Sequence, residues 1–162
     1  MQPEEHLAQP EHLFTQEDVF RYEDASTGQR FLNFLIDNLF MNYGLGYVTG
    51  SLVGYALGTF FPEFAIELFG NASQGELLLF GVILAYFNYI VYYTFCEKLF
   101  RGYTLGKLIT GTRALRNDGQ ELTFRDTILR TLSRMVPFEA FSGFSGYPWH
   151  DQWTKTMVIK SR

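Results

Sequence analysis

The chain reads as an α-helical membrane protein. Two transmembrane helices are expected, with a β-hairpin and a basic amphipathic interfacial helix on the cytoplasmic side. Three observations predict this. Residues 77 to 96 run for twenty positions without a charge, and between Phe31 and Pro62 the only charged residue is Asp37. Phe (17) and Tyr (10) are abundant, as expected where aromatic rings gather at a water–lipid boundary. Basic residues concentrate after the second apolar run, where eleven Lys or Arg face six Asp or Glu. A mean hydropathy near zero (−0.03) hides this uneven distribution.

Residues 1–29 form an acidic tail with seven Asp or Glu against Arg21 alone. A secretory signal needs a basic start and a compact apolar centre, so this tail is expected to be a cytoplasmic extension. Its His6 and His12 lack metal-ligand spacing and read as solvated. The membrane domain is expected over residues 30–160, with a first span at about 31–60.

In that span Arg30, Asn33 and Asp37 follow at spacings of three and four and share one helix face. An ionised Asp at mid-span costs about 2.5–3.5 kcal/mol on insertion scales. Asp37 lies only about 10 Å along the helix from Arg30, so its cost should be lower. Arg30 can snorkel to headgroups or turn inward to the carboxylate. Two readings stay open: a polar clamp that fixes helix packing, or a protonatable or cation-binding site facing a cavity. Further on, Gly46, Gly50, Gly54 and Gly58 recur every four residues. Such a bare stripe, a glycine zipper, suits close helix–helix approach in lipid, against the second span or another copy of the chain.

The second span is expected at about 77–96, since twenty residues rise about 30 Å, the thickness of a hydrocarbon core. Asn88 near its middle is the natural polar partner for the first span. The connecting segment holds Glu63, Glu67 and Glu76 without Lys or Arg. The basic bias of the later segment therefore places both termini in the cytoplasm. Cys96, the single cysteine, excludes an internal disulfide.

Within residues 97–160, two semi-apolar runs flank Asn117-Asp118-Gly119, a turn sequence that predicts a hairpin. Thr123 and Asp126 form a capping-box pattern at the start of the next helix. That helix places Ile128, Leu132 and Met135 on one face and Arg125, Arg130 and Arg134 on others, which predicts contact with anionic headgroups. Pro137 ends it. Residues 137–148 are aromatic but too short to cross, and read as an interfacial or re-entrant stretch. "GYTLGK" lacks the spacing and the Ser or Thr of a phosphate-binding loop. A structural turn that sets Lys107 near headgroups is the more economical reading.

Together these motifs resemble the RDD family of bacterial membrane proteins, named for one arginine and two aspartates. The resemblance rests on Arg30 and Asp37, on the Gly-x-Thr-x-Gly-Lys turn ending in Gly106 and Lys107, and on the Asp-Gly turn. It continues in the Arg-bearing helix with Arg130, and in the closing "WHDQWTKTMVIK" with His150 and Asp151. It implies an integral protein of the bacterial cytoplasmic membrane, here a short variant with its third span truncated, and makes Asp151 the second aspartate. It further implies a transport or cation/proton-exchange role. Two spans enclose little of a pathway, so that role requires a homo-oligomer or a membrane-protein partner. The alternative is a non-transporting assembly factor, anchor or regulatory subunit. No nucleophile–base set, zinc-type cluster or nucleic-acid module is visible, so neither enzymatic activity nor a cofactor, metal or nucleic-acid partner is expected.

Overall fold

A computed structural model describes residues 22–143 and 146–161. Most of the acidic tail, His6 and His12 included, therefore lies outside the described residues.

Ser26 starts the first helix, α1 (Thr27–Leu39), with a capping box in which Ser26 and Gln29 satisfy each other's backbone N–H groups. The helical path continues through a π-helical segment, Phe40–Leu45, into α2 (Gly46–Phe60). A π segment advances the helix by an extra residue and re-aims the following face. The chain reverses through α3 (Pro62–Ile66) and a second π-helical segment, Glu67–Asn71. Ser73 then opens α4 (Gln74–Leu99) through another capping box, with Glu76. At 26 residues and a window hydropathy of 1.7, α4 is, among the described residues, the one helix long and apolar enough to cross a membrane.

After α4 the chain folds back tightly. Gly102 (φ 94°) lies against the Ala114 backbone, and a Cβ there would overlap the Ala114 carbonyl, so only glycine fits. Next come α5 (Leu105–Thr110), capped by Thr104, and β1 (Thr112–Arg116). α6 (Phe124–Arg134) follows, with the expected capping box between Thr123 and Asp126. Two short helices, α7 (Glu139–Ser142) and α8 (Trp149–Thr154), lead to β2 (Thr156–Lys160).

The sheet corrects the expected hairpin. Gly119 (φ 79°) does turn the chain, and Gln120 O accepts from Arg116 N at 3.0 Å. The partner of β1, however, is β2, antiparallel, with Thr112 opposite Lys160 and Arg116 opposite Thr156. Residues 120–123 instead lead into the α6 cap, and Leu122 is buried with Ala25, Ala114 and Val158 in a small apolar cluster. Burying Val158 and Ile159 of β2 supplies what the polar run Gln120-Glu121 cannot.

The distribution of polarity is inverted relative to a water-soluble domain. Leu52, Tyr55, Leu78, Ile83 and Phe87 of the two long helical stretches are exposed, while Asn33, Asp37, Asn88, Glu97, Lys107, Arg130 and Asp151 are buried. An apolar exterior around a polar, paired interior is the arrangement a hydrocarbon solvent favours. α6 follows it too. Its buried face is Thr127, Arg130 and Thr131, and Phe124, Leu129 and Leu132 point outward. Arg130 and Arg134 therefore face the interior rather than headgroups, because buried carboxylates on α4 and α8 hold them.

Candidate functional site

Three carboxylates organise the interior where α1, α4, α5, α6 and α8 meet. Asp37 accepts from Tyr92 Oη, Thr104 Oγ1 and Gly106 N, each at 2.7 Å. The α5 turn comes this close because Gly106 has no side chain. A Cβ there would come within 2.9 Å of Asn33 Cα and 3.0 Å of its carbonyl carbon. Asn33 continues the seam, its amide set between Thr110 and Thr112, 2.9 Å from Thr112 Oγ1. With its nitrogen turned toward the Gln29 and Gly106 carbonyls, that amide satisfies every neighbour.

Glu97, fully buried one residue past the expected end of the second span, accepts from three cations. Lys107 Nζ lies 2.5 Å away, Arg130 Nε 3.0 Å and Arg134 Nη2 2.9 Å. Asp151 accepts from Arg30 Nη1 and Arg130 Nη1, both at 2.6 Å. Arg130 also donates to Thr156 and so bridges both carboxylates. Arg30 secures the chain further through the Ala25 and Val158 carbonyls, at 3.2 and 3.3 Å. A planar guanidinium with five donors suits such bridging, which a lysine could not reproduce.

His150 completes the arrangement. Its Nδ1 lies 2.5 Å from Glu139 Oε1, and its Nε2 lies 3.5 Å from Asp151 Oδ1. Burial lowers the imidazole pKa despite the opposing Asp151 charge. Burial would raise the Asp151 carboxyl, but Arg130, His150 and Arg30 outweigh it and hold it well below the usual carboxylate range. For Glu139, burial is likewise outweighed, by the bond to His150, and its carboxyl is lowered. Burial pulls the Lys107 ammonium down to about 8 against the pull of Glu97.

The expected site residues thus fall into separate groups. Arg30 bonds not Asp37 but Asp151, 121 positions along the chain. Asp37 and Asn33 bind the α5 turn, with Gly106 and Lys107 beside them. Asn88 stands apart and donates to Thr49 Oγ1 at 2.7 Å, tying α4 to α2. Around Gly50, Gly54 and Gly58 a Cβ would meet nothing within 4 Å, while at Gly46 it would lie 3.1 Å from Met41 O. The last three glycines therefore do not pack tightly on α4.

Glu97, Glu139, Tyr92 and Thr104 were not singled out from the sequence. One signal for Glu97 was available: it is a lone acid at the end of an uncharged helix, followed by Lys107 and by Arg130 and Arg134 one turn apart.

A cavity of about 460 Å³ opens onto this cluster. Arg30, Asn33, Asp37, Lys107, Arg134 and His150 contribute polar groups, and Phe31, Phe34, Tyr89, Phe141 and Pro148 form apolar walls. That size is typical of small-molecule sites, which are mostly apolar with a few converging polar groups.

No curated protein and no solved structure matches the chain. The model of the RDD family matches residues 25–151, from the α1 cap to the second aspartate of the cluster, and the chain belongs to the RDD family.

Proposed function

We propose that this chain is a two-span protein of the bacterial cytoplasmic membrane that serves as a transport or ion-exchange component. The spans are the helical stretches 27–60 and 74–99, with α3 on the outer side and both termini in the cytoplasm. The basic bias of residues 97–162 supports this orientation. The first stretch rises about 50 Å, more than a hydrocarbon core requires, so it tilts or reaches into the cytoplasmic interface. The exposed apolar face of α6 rests on that same interface.

One observation carries the reading: a cavity of about 460 Å³ reaches ionisable side chains deep between the helices. In a membrane protein such groups mark solute or proton paths by default. His150 and Glu139 form the exchangeable pair, and the Glu97–Arg130–Asp151 bridge holds the surrounding walls. The open glycine face of α2 is the seam for a second copy or a partner.

Vesicles reconstituted with the full chain and loaded with a pH-sensitive dye test this. Imposed Na⁺ or K⁺ gradients should move protons in the wild type, and His150→Gln should slow that exchange at least tenfold. Correctly inserted protein that moves no protons under any of these gradients rejects the proposal.

A second reading, a non-transporting assembly or regulatory subunit, draws on the saturation of Asp37 by three donors. A carboxylate so engaged locks helices together. This reading expects a membrane protein to co-purify in mild detergent and expects no flux.

A further inference from the structure

α8 has two unlike faces. Inward it supplies His150 and Asp151 to the ion cluster, and outward it shows Trp149 and Trp153, whose rings stack 5.8 Å apart. The same division runs through the whole segment from Val136 to Thr154. Its ionisable residues apart from Tyr147 are Glu139, His150 and Asp151, and all three are turned into the interior. Phe138, Tyr147 and Trp153 stand outward, exposed by 75%, 61% and 57%. Exposed apolar clusters of this kind mark contacts with protein or membrane.

Phe138 sharpens the point. Its backbone is left-handed (φ 69°), where a bulky side chain is strained and Asn or Asp would sit more easily. Its ring meets that of Phe141, 6.5 Å between centres, yet three quarters of the residue stays open. Packing within the chain does not offset that strain, so the ring serves a contact outside it.

The neighbouring surfaces decide between lipid and protein. On one side Phe124, the first residue of α6, packs edge-on against Phe95 of α4 at 6.2 Å, and both rings are about half exposed. On the other side Phe141 and Pro148 share the cavity lining with Phe31 and Phe34 of α1, themselves exposed. The outward surface is thus continuous with the apolar exterior of both long helical stretches. Both joins lie within about two turns of a helix end, the depth at which headgroups give way to acyl chains. Trp and Tyr, apolar rings with a polar tip, gather at that depth.

We infer that residues 136–153 form an interfacial anchor, a segment that does not cross but is seated in the headgroup–acyl boundary of the cytoplasmic leaflet. Phe138, Trp149 and Trp153 are immersed, while Glu139, His150 and Asp151 face the cluster. Immersion fixes the height of α8, so that Asp151 meets Arg30 and Arg130. The assignment rests on the two-span placement proposed above and not on ion exchange.

Trp149 and Trp153 are the chain's two tryptophans, so intrinsic fluorescence reports on this surface alone. The full chain is reconstituted in phosphatidylcholine vesicles brominated either near the headgroup or near the chain end. A parallel set without bromine holds iodide on both sides of the membrane. Near-headgroup bromine should quench at least twice as much emission as chain-end bromine, and iodide at least threefold less than it quenches free tryptophan. Two reporters are built on Trp149→Phe/Trp153→Phe. Phe138→Trp should repeat the native pattern, and Ile83→Trp, exposed within α4, should be quenched more by chain-end bromine. Native emission quenched by iodide as in free tryptophan places the surface in water. Emission indifferent to both quenchers means that a second copy or another protein covers it, and strongest quenching by chain-end bromine means a full crossing. Each of these overturns the anchor. The spans stand if lipid still quenches Ile83→Trp; if lipid quenches neither reporter, both assignments fall.

Discussion

Asp37→Asn asks most directly what the buried aspartate of α1 does. In the wild type the carboxylate takes three bonds at 2.7 Å, from Tyr92, Thr104 and Gly106, at 1% residual exposure. Asparagine keeps the shape and one acceptor oxygen, so Gly106 N–H and the Tyr92 hydroxyl retain a partner. Its amide nitrogen then faces Thr104, whose hydroxyl must turn and leave its own proton without the carboxylate. Bonds to a charged group are worth about 1.5–3 kcal/mol and neutral ones about 0.5–1.5. Three weakened bonds therefore cost roughly 3 kcal/mol. Removing a buried charge returns part of that, which leaves about 2 kcal/mol. For a chain of this size the melting temperature should fall by roughly 4–8 °C. The assay is thermal unfolding in detergent, followed by the loss of the monodisperse peak in size-exclusion chromatography. A midpoint within about 1 °C of wild type refutes the clamp, and abolished exchange at that unchanged midpoint would make Asp37 a working group instead.

Glu97→Gln should be the more damaging change. It strips the charge that Lys107, Arg130 and Arg134 share, at about 3–5 kcal/mol by the measure of broken buried pairs; folded protein melting like wild type would contradict the bridge. Gly106→Ala should cost about 1–3 kcal/mol by overpacking, because its Cβ would drive the α5 turn off the Asn33 backbone, and melting checks it against Gly54→Ala, where the space is open. Acidification should also destabilise the fold. The Asp151 and Glu139 carboxyls are lowered on folding, so their contribution is complete above the unfolded carboxylate range and is lost as pH falls below that range through the lower folded values. The lowered His150 acts in the same direction from its unfolded value of 6.5 downward, since the unfolded chain takes the proton first. A melting temperature that holds or rises between pH 7 and 3 would reverse the sign, and Asp151→Asn should flatten the fall.

Local signals were legible. The Thr123–Asp126 cap and the turn at Gly119 depend on residues within a few positions of each other, and both stand in the structure. The uncharged run 77–96 sits inside α4, which extends it by three residues at each end and starts from a polar cap, Ser73. Arg30, Asp37 and Asp151 were recognisable as a set through family resemblance, not through spacing. The interior pairing was out of reach. A turn between two semi-apolar runs suggested a hairpin, but strand choice follows burial. Val158 and Ile159, some forty residues on, offered more apolar area than Gln120 and Glu121.

Charge depletion, aromatic content and basic bias are properties of consecutive residues, and they alone determined that this chain is a helical membrane protein with its ions kept to few positions. Which ion meets which is a matter of three dimensions. Arg30 and Asp37 share a helix face, yet the arginine bonds Asp151 and leaves Asp37 to neutral donors. The reason is that α8 and β2 bring a second carboxylate to within 2.6 Å of its guanidinium, while the close approach at Gly106 delivers a backbone N–H and the Thr104 hydroxyl to the first, and α4 adds the hydroxyl of Tyr92.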